Sequence, residues 1–425
     1  MSEKEYPKIL IINGGPIGEF SGTGVTLKNL FEHWPADKLL QICYCDSDTE
    51  VVEGSPSFEI FPKSTVLFDY FFRKFLTKIK KNQYSSVSVP MHNLEYRGNE
   101  KKIHKFVRAI LDLSPVFLQS ETLKAIERFK PDVIYSNLST VRLIKTVKFI
   151  SKKYNIKPVI HFMDDWPTTL YASNKYTIWA HYKMNRKLLD LLSLSEYSIT
   201  ISNLMAVEYK KRYKIDFTPI ANPIVSEIRN STKINEEGKK ILAYCGGLHL
   251  GRWENLKIIG EEFDKINNFF PDWEIQLYTS KKDWDVFKDN FSGIQSIVWK
   301  KELMPSEVLA VLRGSELLIH VESFNSKIIE FTKYSFSTKI PQYMSSGKSI
   351  FTFGPKNLAS TQYIENQKVG LLASNRKEIK EKLITLLNDP LYRKELGNNG
   401  LTKAKKEFSK NHLENELLKV LKKNC

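Results

Sequence analysis

Glycines and a cation follow an apolar run in the second half of the chain. The run Ile241–Cys245 leads into Gly246 and Gly247, and three residues later come Gly251 and Arg252. Backbone N–H groups of such a turn, together with a fixed guanidinium, suit the two phosphates of a diphosphate. A surface arginine after an ordinary turn is the alternative that these residues leave open.

A second anion-binding pattern lies ahead of the apolar run Ser349–Phe353. Ser337, Thr338 and Lys339 are followed by Gln342, and we expect a helix to begin among them. Hydroxyl groups, a lysine and the free N–H groups of a first helical turn form a pocket for an anion. Because an arginine and a lysine already neutralise a diphosphate, we expect no metal ion and no other cofactor.

Two adjacent acids follow the apolar run Val159–Met163. Asp164 and Asp165 therefore lie at the carboxyl end of a predicted strand, where paired carboxylates can orient hydroxyl groups or move a proton. An aspartate is also a good N-cap, so capping of the next helix remains open. His161, inside the same run, joins the two acids as a catalytic candidate, although a histidine packed in the core also fits this position.

A glycine-rich loop follows the first apolar run, Lys8–Asn13, and precedes a predicted helix over Val25–Trp34. Glycines allow close approach of the backbone to a ligand, and a helix N-terminus offers free N–H groups to an anion. The spacing matches neither the dinucleotide-binding fingerprint nor the P-loop, and a plain turn remains the alternative. The candidates for a phosphate or acceptor loop are Gly14, Gly15, Gly22, Thr23 and Gly24.

Short apolar runs alternate with helical patterns throughout the chain, which predicts an α/β protein with parallel sheets. The alternation is interrupted at residues 221–224 by Ala-Asn-Pro-Ile and then by a polar stretch up to Lys240. This break predicts one Rossmann-like domain over residues 1–222 and another over 223–408, with a final helix over 409–425. The predicted strands are Lys8–Asn13, Leu39–Cys45, Asp132–Tyr135, Val159–Met163 and Tyr197–Ile201 in the first domain, and Ile241–Cys245, Trp273–Tyr278, Ser296–Val298, Leu317–Val321, Ser349–Phe353 and Gly370–Leu372 in the second.

Composition and cysteine spacing indicate the cellular compartment of the protein. The chain has 425 residues with a hydrophobic fraction of 42% and a formal charge of +16. No apolar run reaches the roughly 20 residues that cross a bilayer, and the N-terminus shows no cleavable signal pattern. Four scattered cysteines fit neither a zinc site nor a disulfide framework, so we expect a reducing, cytoplasmic compartment.

The positive charge is concentrated in one segment. Between Lys63 and Arg108 there are eleven basic residues against three acids, a local net charge of +8, and the aromatic and aliphatic residues from Phe68 to Ile79 have helical spacing. A basic amphipathic segment of this kind can lie on an anionic membrane surface. The alternative is a solvated basic face whose aromatic residues pack on the core. We do not expect a nucleic-acid partner, because no nucleic-acid-binding motif accompanies the charge.

Taken in order along the chain, these segments resemble family 4 of the retaining glycosyltransferases, which has the GT-B fold. The resemblance rests on GG…GTG, HFMDDWP, TISNLMAVEYKKRY…ANPI, YCGGLHLGRWENL, FSTKIPQYMSSGKSIFTFGP and LLNDPLYRKELGNNG. It implies two Rossmann-like domains with parallel sheets facing across a cleft, an acceptor on the N-terminal domain and a nucleotide sugar on the C-terminal one. It also implies a last helix that packs back on the first domain.

Residue by residue, the resemblance places Arg252 and Lys339 at the two donor-diphosphate cations of the family. The glutamate pair of the family would fall on Tyr334 and Gln342, neither of which is acidic, although an amide can still hydrogen-bond a hydroxyl. The His-Asp of the family would fall on the Asp164-Asp165 pair, or its histidine on His161.

We therefore expect a glycosyltransferase, of hexosyltransferase type, that is peripheral on the inner face of the cell membrane. Its donor would be a nucleotide sugar, and its acceptor a glycan or a lipid-linked molecule of cell-surface polysaccharide synthesis. Because both acidic positions of the family pair are lost, a non-catalytic nucleotide-sugar-binding partner is an alternative. A nucleotide-sugar epimerase on the same fold is another.

Overall fold

The computed structural model describes residues 5–15, 17–18, 22–43, 57–59, 102–116, 118–224 and 238–425. Within them the chain divides into two compact units. The first consists of the described residues up to Ile220 and the C-terminal segment Glu414–Cys425, and the second of the described residues from Ala221 to Leu413. Each unit contains a parallel sheet with helices in the connections between its strands.

The sheet of the first unit has seven parallel strands in the order β3-β2-β1-β4-β5-β6-β7. They are β1 (Ile9–Asn13), β2 (Leu39–Cys43), β3 (Ser57–Glu59), β4 (Val133–Ser136), β5 (Pro158–Phe162), β6 (Tyr197–Thr200) and β7 (Asp216–Pro219). The helices of this unit are α1 (Gly22–Phe31), α2 (Lys102–Leu113), α3 (Ser120–Phe129), α4 (Val141–Tyr154), α5 (Trp166–Thr169), α6 (Ile178–Leu192) and α7 (Asn203–Tyr213).

The sheet of the second unit has six parallel strands in the order β10-β9-β8-β11-β12-β13. They are β8 (Lys240–Cys245), β9 (Trp273–Tyr278), β10 (Ile297–Trp299), β11 (Leu317–Val321), β12 (Ile350–Phe353) and β13 (Gly370–Ala373). Its helices are α8 (Arg252–Asp264), α9 (Lys281–Phe287), α10 (Pro305–Gly314), α11 (Ser326–Thr332), α12 (Lys339–Ser345), α13 (Ala359–Asn366), α14 (Arg376–Asn388) and α15 (Pro390–Glu407). A last helix, α16 (Lys410–Lys422), ends the chain.

In both sheets the strand order reverses beside the first strand of the unit. β1 pairs with β2 on one side and β4 on the other, and β8 pairs in the same way with β9 and β11. Such a reversal opens a crevice at the carboxyl ends of the two central strands, where open α/β sheets bind their ligands. The residues that follow β1, β4, β8 and β11 are therefore the ones on which the site depends.

The apolar runs become strands because both faces of each sheet are covered. All five residues of β1 and all five of β11 are buried, as expected for parallel strands between helical layers. Side-chain caps fix where several helices begin. Thr140 accepts a hydrogen bond from the Leu143 amide at 3.2 Å, and Ser202 accepts one from Met205 at 3.0 Å.

The predicted strands are present with ends that differ by no more than two residues, whereas β3, β7 and the short helix α5 were not predicted. β3 and β7 are edge strands of three and four residues, and β7 begins with an exposed aspartate. Edge strands of this length carry little apolar periodicity. The basic segment from Lys63 lies outside the described residues as far as residue 101.

From Glu414 onward, helix α16 is part of the first unit. Glu414 accepts hydrogen bonds from the Tyr6 hydroxyl at 2.5 Å and the His33 ring at 3.2 Å. Just after the helix, the Asn424 amide oxygen accepts from the backbone N–H groups of Glu196 and Tyr197. Leucines at helical spacing in α16 are buried, which gives the helix an apolar inner face.

The cysteines differ from expectation at one position. Cys43 is disulfide-bonded, and its partner lies outside the described residues, whereas Cys245 and Cys425 are free thiols. The expectation of a chain without disulfides was therefore wrong at Cys43. Among the described residues, no helix has the length and apolar character needed to cross a membrane.

Candidate functional site

The loop between β8 and α8 is the backbone part of the candidate site in the second unit. Gly246 has φ 146° and Gly251 φ 67°, both values that side chains other than glycine rarely adopt. A Cβ atom on Gly246 would lie 2.5 Å from the Nζ atom of Lys339, and one on Gly251 would lie 2.5 Å from the Ser323 hydroxyl oxygen. These glycines therefore let α12 and the end of β11 approach the loop.

Lys339 is the first residue of α12 and reaches back to the end of β8. Its ammonium donates a hydrogen bond to the Tyr244 hydroxyl at 2.9 Å and lies 4.4 Å from the centre of the Tyr244 ring. Tyr343, one turn further along α12, accepts a hydrogen bond from the Cys245 N–H at 3.0 Å. This bond fastens the helix to the strand, so the position of Lys339 is fixed by its own helix.

Arg252 is the first residue of α8, on the same loop. Its Nη1 atom lies 3.4 Å from Nε2 of His249, while its buried Nε atom has no hydrogen-bond partner among the described residues. Asp283, in the first turn of α9, accepts a hydrogen bond from the Leu248 N–H at 2.8 Å and lies 3.6 Å from Nδ1 of His249. Asp283 therefore orients the loop from which Arg252 extends.

Burial and neighbouring charges shift the pKa values of this group of side chains. Burial lowers the pKa of Lys339 well below its usual range, and the charge of Arg252 lowers it further. Glu322 opposes this shift. Burial also lowers the pKa of His249, so that its imidazole is neutral at pH 7. Two half-buried cations near each other are unfavourable unless a negative charge joins them.

Glu322 and His320 belong to the same site and were not predicted from the sequence. His320 lies in β11 and Glu322 directly after it, and both are almost fully buried, with Nε2 of His320 3.0 Å from Oε1 of Glu322. Burial alone would raise the pKa of the Glu322 carboxyl, but the His320 hydrogen bond and the charges of Arg252 and Lys339 hold it below its ordinary value. An ionised carboxylate therefore lies within electrostatic reach of both cations.

The remaining predicted donor residues lie around α12. Ser337 donates its backbone N–H to the Ser360 hydroxyl at 3.1 Å, and the Thr338 carbonyl accepts from the Asn222 amide at 3.4 Å. Gln342 is half-buried in α12. Tyr334 precedes this helix, and the ammonium of Lys333 lies over its aromatic ring, 5.1 Å from the ring centre. Ser337 and Thr338 thus engage the chain itself through their backbone groups.

In the first unit, the predicted glycine loop follows β1 as expected. A Cβ atom on Gly14 would lie 2.8 Å from the Ser139 hydroxyl oxygen, so glycine keeps the loops after β1 and β4 close together. Asn13 accepts a hydrogen bond from the Asn137 N–H at 2.9 Å across the same two strands. Helix α1 already begins at Gly22, three residues earlier than predicted, which places Thr23 and Gly24 in its first turn.

The acid pair has one buried and one half-buried member. Asp165 is 1% exposed, and its Oδ1 atom accepts hydrogen bonds from the Tyr209 hydroxyl at 2.7 Å and from Arg212 at 2.8 Å. It occupies the N-cap position of α5 but makes no capping hydrogen bond there. Asp164 is half-buried. Asp165 therefore ties the end of β5 to α7, and Asp164 is the more accessible carboxylate.

His161 lies in the core of the first sheet. It is fully buried, its Nδ1 atom is 2.5 Å from the Tyr135 hydroxyl, and burial lowers its pKa to about 3. The imidazole is therefore neutral at physiological pH. Its backbone carbonyl accepts a hydrogen bond from the Asn137 side chain at 2.9 Å, which links it to the loop after β4.

Within the described residues, no group of three or more histidine, cysteine, aspartate or glutamate side chains is placed to hold a metal ion. The positive charge at the second switch point comes from Arg252 and Lys339. Such a group of side chains can bind a phosphate or diphosphate by charge-assisted hydrogen bonds, with Glu322 and His320 beside it.

Comparison with solved structures identifies the fold. HepE of Anabaena in complex with UDP aligns with a TM-score of 0.65 and 13% identity over 98% of this chain and 100% of that one. WaaG, a glycosyltransferase involved in lipopolysaccharide biosynthesis, gives 0.57 and 9% over 97% and 99% of the two chains. The α,α-trehalose 6-phosphate synthase of Burkholderia multivorans gives 0.60 and 10% over 99% of each. No protein-family model and no curated protein sequence matches the chain. The chain thus has the GT-B fold found in these glycosyltransferases.

Proposed function

We propose that this protein is a retaining glycosyltransferase, of the hexosyltransferase type and similar to family 4, that binds a nucleotide sugar in its second unit. The observation that carries the proposal is the pair of half-buried cations, Arg252 and Lys339, at the switch point of the second sheet. Burial and the charge of Arg252 lower the pKa of Lys339, so its positive charge is stabilised when a further negative charge binds beside it. A donor diphosphate would supply the missing negative charge.

The nature of the donor is supported by the structural neighbours. HepE has been solved with UDP and with UDP-glucose, and its fold is similar to that of this chain over almost the full length of both. UDP is therefore the nucleotide with which to begin. Because the two cations can neutralise a diphosphate, we propose that donor binding needs no metal ion.

The reaction that we propose moves the sugar with retention at its anomeric carbon. The acceptor hydroxyl oxygen forms a bond to that carbon as the bond to the donor phosphate oxygen breaks, and the hydroxyl proton passes to the leaving phosphate. Arg252 and Lys339 stabilise the charge that develops on the phosphate. Asp164, Asp165 and His161 belong to the acceptor side in this proposal. Only Asp164 of the three is partly exposed, so it is the one that an acceptor can contact directly.

We further propose an acceptor that is a glycan or a lipid-linked molecule of cell-surface polysaccharide synthesis, reached from the inner membrane surface. Support comes from exposed apolar side chains beside lysines on α2 and α6. Phe106 and Ile110 are 38% and 42% exposed, Tyr182 is 69% exposed, and Lys183 lies over the ring of Trp179. Aromatic and basic residues in this combination suit a membrane interface.

A non-catalytic nucleotide-sugar-binding protein is the second candidate, and a specific observation favours it. Tyr334 and Gln342 stand where the family has its two glutamates, so the usual carboxylate contacts to the donor are missing. Glu322 offers a carboxylate from a different strand. Release of the free sugar from UDP-glucose or related donors, or its transfer to an acceptor, would separate an enzyme from a binding protein.

The first experiment is a thermal-shift screen of nucleotide sugars, because a ligand of the native state raises the melting temperature. In the parent protein UDP should raise it, and in Arg252→Ala the shift should nearly vanish while the unliganded protein remains folded. A charge-assisted hydrogen bond is worth roughly 1.5–3 kcal/mol, which sets the expected loss. Lys327→Ala, at an exposed position of α11, is the matched control. Equal shifts in all three proteins would show that the donor pocket lies elsewhere.

A further inference from the structure

Glu322 directly follows β11 and has one carboxylate oxygen that the protein itself does not hold. The residue is 6% exposed, and its Oε1 atom lies 3.0 Å from Nε2 of His320. Despite burial, which raises the pKa of this carboxyl, the His320 hydrogen bond and nearby charges keep it below its ordinary value, so the carboxylate is ionised and His320 is the donor. The Oε2 atom accepts no hydrogen bond from any described residue. A buried acceptor of this kind is costly unless a donor reaches it.

The main chain around Glu322 lies against the first turn of α8, the helix that begins with Arg252. The Asn255 side chain donates a hydrogen bond to the Glu322 carbonyl at 2.5 Å, and Asn255 lies one turn after Arg252. Beside this contact, a Cβ atom on Gly251 would lie 2.5 Å from the Ser323 hydroxyl oxygen. The carboxylate and the guanidinium therefore extend from two segments that are in direct contact.

The backbone beside Glu322 leaves room for its side chain at the edge of the sheet. The Glu322 N–H donates to the Phe353 carbonyl at 3.0 Å, and a Cβ atom on the next residue, Gly354, would lie 2.9 Å from the Glu322 Cβ atom. His320 and Glu322 lie on the opposite side of the chain from Val321, which belongs to the hydrophobic core. The carboxylate is therefore held at the carboxyl end of β11, where open α/β sheets bind their ligands.

The charges around Glu322 decide which chemical group suits its Oε2 atom. In the described part of the chain, Glu322 forms an ion pair with neither Arg252 nor Lys339. A phosphate would be repelled by the carboxylate, and a metal cation would be repelled by the neighbouring guanidinium of Arg252. A hydroxyl group carries no charge, and its hydrogen bond to a carboxylate is stronger than one between two neutral groups. A hydroxyl is therefore the partner that this position favours.

We propose that Glu322 determines which nucleotide sugars bind, because its Oε2 atom accepts a hydrogen bond from a hydroxyl group of the ribose or of the transferred sugar. This role rests on the nucleotide-sugar site proposed above, in which Arg252 and Lys339 hold the diphosphate. The guanidinium and the carboxylate then contact neighbouring parts of one ligand, the first an anionic group and the second a neutral one. His320 is a positioning residue, since its hydrogen bond fixes Oε1 and leaves Oε2 for the ligand.

The experiment combines substitutions of Glu322 with removal of single hydroxyl groups from the ligand. Calorimetry at one pH compares UDP with UDP analogues that each lack one ribose hydroxyl, and UDP-glucose with analogues that each lack one glucose hydroxyl. In the parent, loss of the hydroxyl that Glu322 binds should weaken binding about 10- to 150-fold, as expected for a hydrogen bond to a charged group. The same loss should weaken binding about tenfold or less in Glu322→Gln, and it should leave the affinity of Glu322→Ala unchanged.

Each comparison is made within one variant, so effects of the substitution on diphosphate binding cancel, because both ligands of a pair carry the same diphosphate. Glu274→Gln is the matched control. Glu274 is 5% exposed but lies at the second position of β9, near the amino end of the strand, and its variant should keep the ratios of the parent. A difference confined to the UDP analogues assigns the contact to the ribose, and one confined to the UDP-glucose analogues assigns it to the transferred sugar.

The role of Glu322 and the proposed donor site fail in different ways. Equal hydroxyl losses in the parent, Glu322→Gln and Glu322→Ala, with UDP binding still weakened in Arg252→Ala, would overturn the role of Glu322 alone. No binding of UDP or UDP-glucose by the parent, or unchanged UDP affinity in Arg252→Ala, would overturn the donor site and this role with it. If Glu322→Ala does not fold, Glu322→Gln still decides, because it keeps the size of the side chain. A Mg²⁺ requirement of the parent that disappears in Glu322→Gln would assign the carboxylate to a metal ion and overturn the proposal.

Discussion

Lys339 gives the sharpest test of the donor pocket, because removing it should change nucleotide binding and unliganded stability in opposite directions. In Lys339→Met the aliphatic part of the side chain is kept while the charge is lost. The ammonium that is removed lies 2.9 Å from the Tyr244 hydroxyl and is disfavoured by burial and by Arg252. We expect the unliganded variant to be at least as stable as the parent.

The loss in nucleotide affinity follows from the contact that Lys339 would make to a phosphate. A charge-assisted hydrogen bond contributes roughly 1.5–3 kcal/mol. At about 1.4 kcal/mol for each factor of ten, UDP should bind Lys339→Met about 10- to 150-fold more weakly. Lys327→Met, which removes an exposed lysine of α11, should bind UDP as the parent does.

The pH dependence tests the same reasoning through its sign. The pKa of Lys339 is lowered in the folded protein, so the unfolded chain binds more protons between the folded and unfolded pKa values. Unliganded stability therefore gains from Lys339 as pH rises through that window. UDP should raise the pKa again, so binding should take up a proton and its affinity should fall as pH rises through the same window.

Isothermal titration calorimetry measures both quantities. Titrations in two buffers of different ionisation enthalpy give the number of protons taken up, and a pH series gives the affinity. In Lys339→Met the proton uptake assigned to this lysine should disappear. The reasoning is refuted if the parent takes up no proton at any pH below the ordinary pKa of lysine, or if Lys339→Met binds UDP as tightly as the parent.

Three further predictions concern the rest of the site. Glu322→Gln should move the fall in UDP affinity to lower pH, because Glu322 raises the pKa of Lys339, and an unchanged pH series would remove Glu322 from the pocket. Asp165→Asn should lower the unfolding free energy by about 1–3 kcal/mol, as expected for weakening buried hydrogen bonds to charged groups, and should lower turnover more than UDP affinity. Full turnover per folded molecule would leave Asp165 a purely structural role. EDTA should leave UDP affinity in calorimetry unchanged, whereas a loss that Mg²⁺ restores would contradict metal-independent donor binding.

The sequence predicts those parts of the fold that leave a pattern within a few neighbouring residues. Strands such as β1 and β11 are buried on both faces, so each appears in the sequence as an uninterrupted apolar run. The short edge strand β7 and the four-residue helix α5 have no comparable run. Their conformation depends on pairing with β6 and on the proline after Trp166, and neither produces a periodic pattern.

The proposed donor site was predictable only in part, for a similar reason. Arg252 follows a glycine and Lys339 follows two hydroxyl residues. Runs of such residues between apolar segments predict loops, so both cations could be found from the sequence. Glu322 and His320 are two residues apart at the end of an apolar run, a spacing that puts both side chains on one face of a strand. That signal was present in the sequence, but strand order decides whether the end of β11 lies beside the end of β8, and strand order is not local.

The acid pair consists of two adjacent aspartates that the sequence does not distinguish, but their burial differs, and so do the roles they can have. Asp165 and His161 are 1% and 0% exposed, and their polar atoms engage Tyr209, Arg212 and Tyr135 in the core. A proton acceptor must come within hydrogen-bond reach of its substrate, and groups enclosed in this way reach one only if the surrounding side chains move. Asp164, half-buried beside them, needs no such movement. The contacts of Asp165 then serve to hold the end of β5, and with it Asp164, at the carboxyl edge of the sheet, where we propose that the acceptor binds.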